Sequence, residues 1–290
     1  MPVFAVALAG AWLKKTLVLD PGPVSRLALY LLIPCLIFSN VSRTRVPVPE
    51  LARVALGVAL VMAVLYLLGL IVARITGASP QARAGYLLST VFINSGNYGL
   101  PLLLFAFGEE GFAIGVLYFV TQSFLTNTAG AYVASRGKAS AREALGKALR
   151  VPALYAALLA LPFPLLGIQP PSVVLRPVEL VGRAAIPMML LLLGAQLRFR
   201  VHPSHVSLLA AAIITRLVIS PLIAVAIALM LGFSELTRAV FIIESAMPTA
   251  VLTVVLSMEF DAETEFLAGV VAYSTLLSLV SLSLLIPLLR

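Results

Sequence analysis

Asn94-Ser95-Gly96-Asn97-Tyr98-Gly99-Leu100-Pro101 interrupts an otherwise apolar segment, residues 83–107, with a polar run holding two glycines and a proline. Glycine and proline at this spacing predict an unwound backbone. In hydrocarbon, unwound N–H and C=O groups are costly unless protein or a cavity receives them, so such a break is kept where something binds.

Composition agrees with a membrane setting. The chain has 290 residues, of which 61% are hydrophobic and 11% charged, and its mean hydropathy is +1.08. A soluble globule cannot hide that much apolar surface, so a polytopic membrane protein is expected. The net charge of +8 comes from lysines and arginines scattered singly between apolar runs. They form no basic face, which argues against a nucleic-acid partner. Cys35 is the sole cysteine, so no intrachain disulfide is possible. The N-terminus lacks the basic start of a cleaved signal peptide.

Ten runs reach the roughly 20 residues that cross about 30 Å of hydrocarbon. They lie at 2–19, 24–42, 51–75, 81–107, 111–135, 144–167, 173–197, 204–231, 235–258 and 264–289. Only about a dozen residues precede Lys14, roughly 18 Å of helix at 1.5 Å per residue. The first helix is therefore expected to continue past Lys14 and Lys15, or to have an upstream start. With the N-terminus outside, the inner loops collect twelve basic residues against seven in the outer loops. Both termini are expected on the non-cytoplasmic face of the cell membrane. The most basic connection, 135–150, divides the chain near its middle.

The halves resemble each other. Leu32-Ile33-Pro34 matches Ala185-Ile186-Pro187 at an offset of 153, the run from Ser79 matches that from Ser234 at 155, and Gly115 falls on Gly269 at 154. The expected architecture is all-α, with ten transmembrane helices in two five-helix repeats that must be inverted because five is odd. The repeats would occupy 1–135 and 144–290, joined by a cytoplasmic linker at 136–143. A break in the fourth segment predicts one in the ninth, where Ala246-Met247-Pro248-Thr249 supplies a proline in mid-segment.

These residues carry a family resemblance. The run from Asn94 to Pro101, the Ile-Pro and Leu-Gly-Ala-Gln-Leu residues of 186–197, and Ala246-Met247-Pro248-Thr249-Ala250 resemble bacterial members of the auxin efflux carrier family. That family includes plant PIN-formed carriers and bacterial malate or malonate permeases. The resemblance implies crossing of helices 4 and 9 near their prolines and organic-anion transport by an elevator-like movement, often in a dimer. Helices 3–5 and 8–10 would move against a scaffold of helices 1, 2, 6 and 7. The long cytoplasmic loop of the plant carriers is reduced here to about 16 residues, so regulation through it is not implied.

Each half-helix that begins inside the membrane presents unpaired N–H groups and a positive dipole end, which attract a carboxylate. Pro101 suits a first-turn position, where its missing N–H is harmless. Gly96 and Gly99 would admit close backbone approach. Asn94, Ser95, Asn97 and Thr249 offer polar side chains, and Tyr98, Met247 and Pro248 flank the breaks. These residues form the candidate substrate site. Glycine, proline and small polar residues also kink and pack membrane helices with no ligand involved.

Two charges lie deep in apolar segments. Arg216 and Glu244 are candidates for coupling to protons or sodium, because a charge at the bilayer centre costs roughly 2.5 to 3.5 kcal/mol on insertion scales. In straight helices they would differ in depth by about 9 Å, so direct pairing is open. Repeat alignment sets neutral Ser89 opposite Glu244 and Met62 near Arg216. A neutral, hydrogen-bonded structural acid is the alternative for Glu244.

Other features carry less. Tyr30, Phe38, Tyr66, Tyr118 and Trp12 read as packing or interface aromatics, while Gln122, Asn127 and Gln196 suit either a cavity or a helix contact. The acidic turn with Glu259, Asp261, Glu263 and Glu265 reads as solvated and not as a metal site. His202 and His205 read as loop residues. All four lysines and both histidines are expected in loops, which excludes an intramembrane catalytic dyad. A channel would need a continuous polar lining. No ATP-binding motif is present and no cofactor is expected. A secondary transporter of a small organic anion explains the breaks, the repeat and the sparse charge together, and the alternative is a sodium-coupled anion symporter of the bile-acid type.

Overall fold

The computed structural model describes residues 2–17, 20–43, 48–126, 128, 146, 151–197, 206–259 and 263–290. The basic connection 135–150, apart from the backbone of Gly146, lies outside the described residues. So do the linker 136–143, Asn127, His202, His205, Asp261 and the Glu259 side chain.

Among the described residues the chain is helical throughout. The helices are α1 (Pro2–Leu17), α2 (Pro21–Val41), α3 (Val48–Ile75), α4 (Pro80–Val91) and α5 (Ser95–Leu125). After them come α6 (Pro152–Leu166), α7 (Ser172–Gln196) and α8 (Val206–Met230). The last three are α9 (Glu235–Ser245), α10 (Leu252–Glu259) and α11 (Thr264–Leu289). Six of them, α2, α3, α5, α7, α8 and α11, contain stretches long and apolar enough to cross a bilayer. Gly108 divides α5 into two arms at φ +66° and ψ −161°, a conformation open to glycine.

Local chemistry sets the helix ends. Ser79 Oγ accepts from the Ala82 N–H at 3.1 Å and Ser234 Oγ from the Thr237 N–H at 3.4 Å, so α4 and α9 start with the same serine cap. Their cap dihedrals are nearly identical, −56°/158° and −57°/160°. Wide π turns at Ala28–Leu32, Ser95–Gly99 and Thr215–Ile219 each precede a proline two residues on, Pro34, Pro101 and Pro221. Proline has no N–H for the carbonyl four residues back, and a local π turn absorbs the mismatch without ending the helix.

Two packing groups position the site. In one, α1 lies along α7, and α2 packs against α6 and α7. Gly10 faces the Leu191 backbone and Gly194 faces the backbone of Ala7, so α1 and α7 meet where side chains are absent. In the other, α3, α4, α5, α8, α9 and α11 pack together around fully buried Tyr86, Phe112, Phe241 and Phe266. Leu8, Trp12, Leu67, Leu222 and Leu284 remain exposed on the outer faces, as suits a lipid-facing surface.

Candidate functional site

The two interrupted segments meet at their breaks. Phe92 and Asn94 leave the helix at the end of α4, and α9 ends at Ser245, followed by 246–251. Asn94 donates its backbone N–H to Pro248 O at 2.8 Å and Ala250 to Phe92 O at 3.0 Å, which makes an antiparallel bridge between Ile93 and Thr249. Gln122 Nε2 donates to Ile93 O at 2.9 Å, the Thr249 hydroxyl to Ser89 O at 2.7 Å, and the Thr249 N–H to Ser274 Oγ at 3.2 Å. Several of the backbone groups freed by the breaks thus find partners within the protein.

The glycines do not themselves unwind the chain, contrary to the sequence expectation. Unwinding is complete by Asn94, while Gly96 and Gly99 lie inside the π turn, where the Gly99 N–H bonds Asn94 O at 3.0 Å. Their role is close packing. A methyl group on Gly96 would lie 2.8 Å from Phe119 Cε2, and one on Gly99 would lie 2.5 and 2.6 Å from the two carboxylate oxygens of Glu244. Pro101 occupies the first turn of the regular helix starting at Leu100, behind this wide turn and not at the break.

Glu244 is fully buried, with the Ser95 hydroxyl beside its carboxyl and, among the described residues, no cationic partner. Gly99 bounds its pocket on one side, and Gly115, where a methyl group would lie 3.4 Å from Oε1, on another. Arg216, also fully buried, does not pair with it. The guanidinium instead donates to Thr90 O, to Ser220 Oγ and, at 2.5 Å, to Ser245 O, the residue beside Glu244. The pairing left open by the sequence is not made, and the guanidinium is committed to these three oxygens.

A cavity of about 500 Å³ lies between the crossover and α1, α2 and α7. Of the candidate substrate residues, Asn94, Gly96 and Asn97 line it. Ser95, Tyr98, Gly99, Pro101, Met247, Pro248 and Thr249 are not among its lining residues and pack into the crossover; Tyr98 OH, for example, accepts from Ser278 Oγ at 3.2 Å. Three side chains on its wall hold unsatisfied polar atoms, Asn94 Nδ2, Gln122 Oε1 and Gln196 Oε1. Buried amide atoms without partners are uncommon and mark a place where a ligand can complete the bonding.

Gln122 and Gln196, left open between cavity and helix contact, serve both roles: each lines the cavity, and Gln196 Nε2 donates to Ser25 Oγ at 3.0 Å. The first helix continues past Lys14 and Lys15 as expected, to Leu17, so these two of the four lysines are not loop residues; Lys14, in the last turn of α1, reaches the cavity. Asp20, Ser25 and Phe119 also line it. Only the packing of α1 and α2 against α7 reveals Asp20 and Ser25, and that of α5 at the crossover reveals Phe119; no local sequence signal marks either arrangement.

Comparison with known proteins points the same way. A family model described as "Membrane transport protein" matches residues 1–144 and 138–286. An "Uncharacterized transporter" of Methanothermobacter thermautotrophicus is 28% identical over 98% of this chain and 95% of its own. A second "Uncharacterized transporter", from Methanocaldococcus jannaschii, is 26% identical over 90% of this chain and 87% of its own. A "Putative malonate transporter" of Rhizobium meliloti is 27% identical over 100% of this chain and 94% of its own.

Proposed function

Since the chain belongs to this membrane transport protein family, that of the auxin efflux carriers, and is a multi-pass transporter, we propose that it carries small organic anions by secondary transport. The substrate class is carboxylates, either dicarboxylates such as malonate, the acid in the Rhizobium relative's name, or auxin-like acids. The observation that carries this reading is the cavity of about 500 Å³ against the crossover, with the unpartnered Asn94 amide on its wall.

The chemistry of the wall fits an anion. The half-helix that begins at Ser95 directs its positive dipole end toward this region. Asn94 and Asn97 supply amide donors and Lys14 a cation, on a wall that also holds the Asp20 carboxylate. Arg216 is held by carbonyl oxygens and is absent from the lining, so the anion would depend on the helix end and the amides more than on any arginine.

On this reading the ten helices form two inverted repeats, with α4 and the first arm of α5 as helix 4 and α9 and α10 as helix 9. The second packing group would be the moving domain and α1, α2, α6 and α7 the scaffold, through which two copies would dimerise. The matching serine caps of α4 and α9 and the dense packing within each group support it, with α5 as the element that touches both. The cavity lies next to the Lys14 end of α1, which the basic-loop bias puts on the cytoplasmic side of the cell membrane, so the conformation would be inward-facing with both termini outside. Glu244 is the proposed proton site. A thermal-shift screen of the purified chain against carboxylic acids tests the proposal: a ligand of the folded state raises Tm, and a panel of mono- and dicarboxylates without effect would sink it.

A further inference from the structure

Three oxygens from three elements converge on Arg216. Thr90 O comes from the last turn of α4, Ser245 O from the last residue of α9, and Ser220 Oγ from the residue after the π turn in α8. Ser220 Oγ also donates to Ser245 O at 2.7 Å, which fixes the third oxygen against the second. The α4 and α9 ends both lie inside the bundle, and each helix C-terminus bears about half an elementary negative charge. Together they match one monovalent cation. In transporters with broken helices such carbonyl ends are where sodium or a proton is held.

Here the place is filled by the chain itself. Arg216 is 0% exposed, and among the described residues no carboxylate is paired with its guanidinium. Its charge is balanced by helix ends. The forked guanidinium suits this role because its two terminal nitrogens reach the ends of two different half-helices, one each.

We propose that Arg216 is a tethered substitute for a coupling cation at the crossover. The transporter then needs no sodium, and shortening this side chain converts the same three oxygens into a sodium site. The inference depends on the crossover geometry and holds whatever the substrate proves to be. It also separates this chain from a sodium-coupled symporter of the bile-acid type.

The test uses the purified full chain, its R216A and R216K variants, and Tm measured in sodium, potassium or choline chloride at constant ionic strength, with radioactive sodium binding alongside. The parent should show equal Tm in all three salts and bind no sodium. R216A should melt lower in choline and regain about 3 °C or more in sodium, with saturable sodium binding. R216K should retain its fold and remain indifferent to the salt. Specific stabilisation of the parent by sodium would overturn the proposal, as would an R216A variant as stable as the parent in choline. If R216A does not survive purification, the parent's sodium titration and the salt response of R216K decide by the same criteria.

Discussion

The Asn94 backbone N–H donates to the carbonyl oxygen of Pro248 at 2.8 Å, joining the break after α4 to the break after α9. The bond fixes which side chains face the cavity. With the backbone of Asn94 committed to the crossover, the residue stands at the cavity wall with its Nδ2 buried behind the surface and unsatisfied. Rigid support behind a polar group of this kind is what a selective site requires.

Gly99 and Glu244 should behave as a coupled pair. A methyl group at Gly99 falls within 2.6 Å of both carboxylate oxygens, so Gly99→Ala forces the carboxylate to move and should destabilise by about 2 kcal/mol, typical of an overpacked core. Gly99→Ala combined with Glu244→Ala should recover most of that loss. A double-mutant cycle read by thermal unfolding checks it; additive losses would mean the two residues do not share this space.

Glu244→Gln separates coupling from structure. A buried carboxylate without a cationic partner is costly to ionise unless a proton or cation accompanies it. The amide keeps the shape and removes titration. Substrate exchange should persist while net flux loses its response to a pH gradient. Liposome flux at several imposed gradients measures this, and a variant that follows the gradient as the parent does would make Glu244 a structural acid.

Lys14→Gln should weaken anion capture without disturbing the fold. Lys14 is partly exposed at the cavity, so its attraction is screened, and a loss of about fivefold in half-saturation, or about 1 kcal/mol, is expected. The difference should shrink in high salt. Equal half-saturation for parent and variant at low ionic strength would remove Lys14 from the site.

Much of this fold was legible because the bilayer imposes simple lengths. The runs expected at 173–197, 204–231 and 264–289 correspond to α7, α8 and α11, and the turn expected between 107 and 111 is made at Gly108. Pro248 and the Asn94 motif announced their breaks through residue chemistry alone. What escaped the sequence depends on distant partners. The acceptors of Arg216 are carbonyls 126 and 29 residues away, and carbonyls leave no trace in side-chain identity. The glycines looked like the cause of unwinding, but their constraint is packing against Phe119 and Glu244. Counting Lys14 among the loop lysines missed its reach into the cavity, although the run at 2–19 already carried the first helix past it, as α1 does to Leu17.

Uptake of labelled malonate into liposomes, compared between the parent chain and Asn94→Leu, tests the crossover cavity as the site of organic-anion transport. Thermal unfolding of both proteins establishes that both are folded. The parent should take up the label saturably, with inhibition by unlabelled dicarboxylates. Asn94→Leu, whose branched apolar side chain cannot donate to a carboxylate, should lose at least about tenfold in uptake, the equivalent of about 1.4 kcal/mol in a site hydrogen bond to a charged group. Uptake by Asn94→Leu equal to the parent's would contradict a site at the crossover. A parent that neither transports nor is stabilised by any carboxylate would contradict the organic-anion substrate itself.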